Sequence, residues 1–329
     1  MSESRHYGSL AVTDVEGQLI YGVGAVDGAP AYLRSSAKPF QAIPLIESGA
    51  AERFGLSDQE IAVACASHNG EDEHVRVVGG MLERAGLSPD QLLCGAHLPY
   101  YEPAATALTR AGQPPSNLHS NCSGKHTGML LVCKQMGWPT ENYNEPEHPL
   151  QKWILEIVAE FCGMPVSEVA TGVDGCSVVC FGMTVRQMAT GFARLSDPTY
   201  WEQAGKPEHA RAVKRIINAM MAHPFMVGGT ARNDTDLMQL APGRVFSKGG
   251  AEAVWCMGFP ERGLGLALKV EDGTPRAHPV IIAEALHQTG LLDEAVIKGF
   301  AAHQIKPLRN VRGLVVGEIR PAFKLQAQS

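Results

Sequence analysis

The sequence predicts an α+β fold: an antiparallel sheet formed from both chain ends, packed against helices, with a helical region between them. Three observations point to it. Residues 9–13 and 18–24 (SLAVT and QLIYGVG) alternate around the turn-like Asp14–Gly17, as a β-hairpin does. Residues 244–247, 252–258 and 264–271 are strand-like and separated by glycines, and 313–319 (GLVVGEI) adds a strand near the end. In between, roughly from 50 to 225, apolar residues recur at helical spacing. No repeat, low-complexity segment or long linker divides the chain, so residues 1–329 are expected to form a single domain.

After the hairpin, Ser35–Gly49 (SSAKPFQAIPLIESG) is apolar at Phe40, Ile43, Leu45 and Ile46 and reads as a short helix. Lys38 and Pro39 fall in its first turn, where proline removes only an orphan N–H. Pro44 would sit mid-helix, so a kink is expected. Ser57 and Glu60 form a capping box before the buried run IAVACAS, which ends at His68–Gly70. Helical patterns recur at 71–85, 102–111, 125–137, 148–162, 184–194 and 208–222, and residues 278–302 are helical ahead of the last strand.

Composition excludes several classes of function. A net charge of −6 gives no electrostatic case for nucleic acid or an anionic membrane. No apolar run approaches the roughly 20 residues of a membrane span, and the polar residues 1–14 do not read as a signal peptide. Eight cysteines are scattered without a C-x-x-C pair, the pattern of reduced, mostly buried thiols with room for one metal or catalytic site. A cytoplasmic enzyme acting on a small molecule fits these features.

The first chemical constellation is Ser35-Ser36-Ala37-Lys38. At the start of a helix, position i+3 returns to the same face, so the Lys38 amine can reach the Ser35 hydroxyl. Serine is a weak nucleophile until a base takes its proton, and a desolvated neutral lysine can do that. Alone, the motif is usually a capping serine beside a solvated lysine. Ser67-His68-Asn69 and Ser247-Lys248-Gly249-Gly250 follow downstream. The order S-x-x-K, S-x-N, K-x-G is that of serine β-lactamases and penicillin-binding proteins, and jointly it favours a Ser–Lys hydrolase.

A further pair of segments, Asn121-Cys122-Ser123-Gly124-Lys125-His126 and Asp174-Gly175-Cys176, places two thiols beside apolar stretches. With a nearby His or Lys they could complete a tetrahedral zinc site, or they could simply be buried. Arg34 and Asp174 could hold a zwitterion, the guanidinium forking onto a carboxylate and the carboxylate taking an ammonium.

Taken with Glu3–Gly8, Arg34–Gln41 and Cys65–Gly70, these segments resemble the rhizobial-type, third-class L-asparaginases, from about Glu3 to the last strand. The resemblance implies a fold similar to serine β-lactamases, a homodimer, and hydrolysis of L-asparagine to L-aspartate and ammonia. It implies two Ser–Lys pairs, Ser35 with Lys38 and Ser67 with Lys248, and one zinc ion per chain on Cys122, Lys125 and Cys176. Asn69, His126, Asp174 and Arg34 are the expected substrate contacts.

The expected mechanism is covalent: Lys38 deprotonates Ser35, which attacks the side-chain amide, and water hydrolyses the acyl-enzyme. The sequence does not decide whether Ser35 or Ser67 carries the ester. A lysine base predicts a rate still rising between about pH 7 and 9; a histidine base, for which His68 or His126 would stand, predicts an earlier plateau. Two rivals share the motifs: a penicillin-recognising acyl-transfer enzyme, and a non-catalytic, zinc-stabilised amino-acid-binding protein.

Overall fold

A computed structural model describes residues 1–327. Its strands in chain order are β1 (Gly8–Thr13), β2 (Leu19–Val23), β3 (Ala31–Tyr32), β4 (Ala170–Val173), β5 (Val179–Met183) and β6 (Phe246–Gly250). They continue with β7 (Val254–Phe259), β8 (Leu264–Val270), β9 (Leu308–Arg309), β10 (Val315–Gly317) and β11 (Gln326–Ala327). The principal sheet runs β11-β2-β1-β8-β7-β6, antiparallel throughout, so strands from both chain ends meet as expected.

β1 lies in the middle of this sheet, paired with β2 on one side and in register from Gly8↔Val270 to Thr13↔Gly265 on the other. Its two faces look into two cores. Ala11 points into the larger one, shared with the helical region, while Leu10 and Val12 face the helices His278–Thr289 and Glu294–Gln304. The sheet is therefore sandwiched, with apolar side chains on both faces, which explains the near-continuous burial of β7 and β8.

The helical region is built around Ser123–Met136, buried on all sides from Ser123 to Cys133, as a helix at the centre of a bundle must be. Gly124 lets it approach the helix Asp58–Ala64, since a Cβ there would lie 2.1 Å from the Val63 carbonyl oxygen. That close approach brings the residues after Ala64 against the start of Ser123–Met136. The capping box of Ser57 and Glu60 is present.

Three elements differ from the sequence reading. The helix expected over 35–49 is three short pieces, a 3-10 turn Arg34–Ala37 followed by Lys38–Gln41 and Ile43–Glu47, with Pro44 starting the last piece instead of kinking a continuous helix. The helix expected over 278–302 is interrupted at Gly290, whose left-handed backbone (φ 63°) ends its first half. The strand expected over 313–319 is the short β10, which pairs only with β9, and β11 takes the sheet edge in its place. The small sheet β3-β5-β4 was not anticipated.

Candidate active site

The side chains of interest converge where the helical region meets the edge strand β6. Lys38 opens the helix Lys38–Gln41, and Ser36 one turn earlier donates its hydroxyl to the Lys248 carbonyl (2.7 Å), fastening this turn to β6. The Lys38 ammonium is buried and donates to Ser67 Oγ at 2.9 Å, to the Ala66 carbonyl, and more weakly to the Asn121 carbonyl at 3.4 Å. Ser67 follows the helix Asp58–Ala64, and its backbone N–H donates to Val227 O (3.0 Å). Lys248, wholly buried in β6, approaches the same Ser67 Oγ from the other side, also at 2.9 Å.

Ser67 is thus bonded to two lysines at once. Two ammonium groups this close repel each other, and burial penalises charge further. Lys248 carries the cost: burial first, then Lys38 and Arg232, bring its pKa down to about 7 against the pull of Asp234. The neighbouring residues are fixed by Asp234, which accepts from Ser247 Oγ at 2.7 Å and from Gly249 N at 3.0 Å. Ser35 itself is half-buried, and its hydroxyl has no hydrogen-bond partner among the described residues. The expected Ser35–Lys38 bond is therefore not made: the long lysine side chain runs across to the Ala66–Ser67 loop.

The cysteine segments lie beside this centre. Cys122 ends the loop after Asn121, Lys125 sits one turn into Ser123–Met136, and Cys176 comes from the β4–β5 turn. Lys125 Nζ donates to Cys176 Sγ at 2.8 Å. A hydrogen bond from Cys176, with help from Lys38 and Lys125, holds the Cys122 thiol well below its usual range despite burial. Burial opposes the charge on Lys125, but Cys176 and Cys122 outweigh it and its pKa is raised. His126 donates or accepts through Nδ1 with Tyr143 OH at 2.7 Å, while its buried Nε2 has no hydrogen-bond partner among the described residues and Cys176 lies nearby.

Two soft sulfurs, one already biased to thiolate, and the Lys125 amine are a donor set that fits zinc. Among the described residues no three His, Cys, Asp or Glu side chains form such a group, so a metal here needs Lys125 as a ligand. Binding would have to displace its proton.

Arg34 has a left-handed backbone (φ 50°) and donates from Nε to Asp174 at 2.8 Å. Burial opposes the Asp174 charge, but Lys125 and Arg34 together hold its carboxyl below the usual range. Asn69 is fully occupied: Nδ2 donates to Thr230 O (2.9 Å), Oδ1 accepts from Arg232 (3.4 Å), and its carbonyl accepts from Tyr100 N (2.8 Å). His68, between Gly70 N (3.1 Å) and Ser123 Oγ (2.9 Å), is buried, and burial pushes its pKa well down. Neither it nor His126, whose pKa burial lowers to about 4, is bonded to Ser35 or Ser67 among the described residues. Asp234, Arg232 and Tyr100 were missed. The available signal was Gly228-Gly229 followed by Arg232-Asn233-Asp234, a turn feeding charged residues into the helix Asn233–Leu240.

The model of the L-asparaginase II family matches residues 1–321. The chain belongs to the L-asparaginase II family. No curated protein matches it. Among solved structures it is similar to a mutant simvastatin synthase from Aspergillus terreus, at 15% identity over 90% of this chain and 93% of that one, with a TM-score of 0.40. It is also similar to a beta-lactamase from Mycobacterium bovis, at 13% identity over 90% and 92% of the two chains, with a TM-score of 0.34. Membership of the family makes the chain an enzyme of the hydrolase kind, with a small-molecule substrate. No helix in the described residues is long and apolar enough to cross a membrane.

Proposed function

We propose that the protein hydrolyses L-asparagine to L-aspartate and ammonia through an acyl-enzyme on Ser35. One observation carries this reading beyond the family: Ser67 Oγ bonded to Lys38 and Lys248, each at 2.9 Å. Such a chain can move a proton between two lysines through a hydroxyl. Lys38 passes a proton through Ser67 to Lys248, which is about half neutral near pH 7. The freed Lys38 amine then turns from Ser67 to Ser35, which it does not bond in this structure, and takes its proton as the Ser35 oxygen attacks the side-chain amide carbon.

Backbone N–H groups at the start of the Arg34–Ala37 turn stabilise the oxyanion. The C–N bond then breaks, and ammonia leaves with a proton returned along the same chain. Water adds to the ester with the lysines again as base, restoring Ser35 and releasing L-aspartate. Asp174 accepts the substrate ammonium, with Arg34 holding its carboxylate in place. Cys122, Lys125 and Cys176 would hold a zinc ion, whose charge would supply a Lewis-acidic anchor for substrate. We also propose a homodimer, which light scattering of the protein in solution tests.

The decisive experiment is ammonia release from L-asparagine, L-glutamine and asparaginyl dipeptides. Holding the α-carbon in place makes one extra methylene carry the amide past the nucleophile, and misplacement of about 1 Å costs on the order of 10²-fold. Asparagine is expected to exceed glutamine by about that factor in kcat/KM. No release from asparagine, or stable acylation by a labelled β-lactam, would replace this reading with a penicillin-recognising one.

A further inference from the structure

Arg34, the guanidinium expected to bind the substrate carboxylate, is already bonded to Asp174 at 2.8 Å. A second guanidinium, that of Arg232, bonds Asn69, two residues after Ser67. The loop from Gly228 to Arg232 leaves Val227, whose carbonyl accepts the Ser67 backbone N–H. Two left-handed residues fold it, Gly229 (φ 104°) and Ala231 (φ 57°). The second is a conformation that L-residues rarely adopt, and strain of this kind collects where function demands a fixed backbone. At Gly229 a Cβ would lie 2.5 Å from Glu71 Oε1, so only glycine fits.

The loop is fastened on both sides. Thr230 donates to Glu71 from its backbone (2.8 Å) and its hydroxyl (2.7 Å), and Asn69 donates to Thr230 O at 2.9 Å. Glu71 is therefore used up on Thr230. Arg232, half-buried, makes one long bond, from Nη1 to Asn69 Oδ1 at 3.4 Å, and among the described residues no carboxylate lies within 4.0 Å of it. Its charge reaches Lys248, which bonds Ser67, and Tyr100, which also feels Cys122. A partly desolvated guanidinium without an anion is costly to hold in place, and a fork held at Asn69, two residues from Ser67, matches a carboxylate.

We propose that Arg232 binds the α-carboxylate of the amino-acid substrate and so determines the preference for amino acids over simple amides. This rests on the asparagine-hydrolysing reading and adds its specificity residue; Arg34 is then a positioning residue for Asp174.

The test compares Arg232→Gln and Arg232→Lys with the wild type on L-asparagine and on 3-aminopropanamide, the same amide without the α-carboxylate. Arg232→Gln is expected to lower kcat/KM for asparagine by about 10- to 100-fold, the range for a charge-assisted pair, mostly through KM. At about pH 9, above the limb that Arg232 itself shifts through Lys248, it should leave 3-aminopropanamide within about twofold, with Arg232→Lys recovering part of the asparagine loss. Calorimetric binding of L-aspartate against β-alanine, which differ by the same carboxylate, repeats the comparison without turnover. Equal losses on both amides, or none on asparagine, overturn the assignment. If the wild type releases no ammonia from asparagine, the asparaginase reading fails and calorimetry alone decides: L-aspartate binding that depends on Arg232 sustains the carboxylate site, and indifference to Arg232 ends it.

Discussion

Ser67 between two lysines joins three of the four Ser and Lys residues directly, and the proposed mechanism adds Ser35 to that unit. Replacing Ser35 or Ser67 by Ala, or Lys38 by Met, is expected to lower kcat by on the order of 10³-fold or more with folding intact. The double variant Lys38→Met/Lys248→Met should be no worse than the poorer single one; losses that multiply would separate the pairs. Because Lys248 must be neutral to accept a proton, and burial beside Lys38 brings its pKa down to about 7, kcat/KM should rise through about pH 7 and level off above it. That limb lies lower than the sequence alone predicts. Lys248→Arg should abolish it, whereas a limb unchanged in that variant would belong to another group. Purified protein is expected to carry roughly one zinc per chain, lost in Cys122→Ala and Cys176→Ala; metal analysis finding none after reconstitution removes the ion from the proposal. Residue types were legible here because the chemistry demands them. Their contacts were less so: i+3 spacing puts Ser35 and Lys38 on one face, but it cannot say that a four-carbon stem will reach across to Ser67. Arg232 was missed because nothing local distinguishes a loop arginine until the left-handed turn before it is seen.

At the scale of elements, the break after Gln41 leaves Ile43–Glu47 as a separate helix, held at its end by Glu47. Glu47 bonds His209 Nδ1 on the helix Pro207–Ala222, and Glu160 lies at 3.4 Å from Nε2. Burial opposes a charge on His209, but Glu47 and then Glu160 outweigh it, so its pKa is raised. A raised folded pKa stabilises fully below the unfolded value of about 6.5 and is lost as pH rises through the folded one. His209→Gln should therefore cost about 1–3 kcal/mol near pH 6 and much less at pH 9, by urea denaturation. An equal cost at both pH values would make the contact one of packing alone. Most elements were legible from period and caps, as with the Ser57–Glu60 box. Three of the misread strands share a cause. β3, β4 and β10 are two to four residues long, too short for alternation to register, and are fixed by partners distant in sequence.

For the molecule as a whole, Lys38 and Ser67 come from the helical region and Lys248 from the sheet, so the site exists only while the two are docked. The sheet is shared by both cores, and calorimetry should give one unfolding transition, with activity lost at the same temperature. Two resolved transitions would mean that the chain divides into separate units. The meeting of both chain ends in one sheet was legible because the alternating, glycine-separated runs occur there; that β11 and not β10 closes the edge was not. The place of β1 has a consequence for how the protein is made. Its neighbour β8 lies at the far end of the chain, Gly8 facing Val270. At about 5–20 residues per second, the ribosome needs on the order of ten seconds or more after releasing β1 to deliver that partner. Until then an apolar strand destined for the centre has only β2 to pair with. Newly made chains are therefore open to association through that strand, and slowing translation before residue 264 should raise the insoluble fraction.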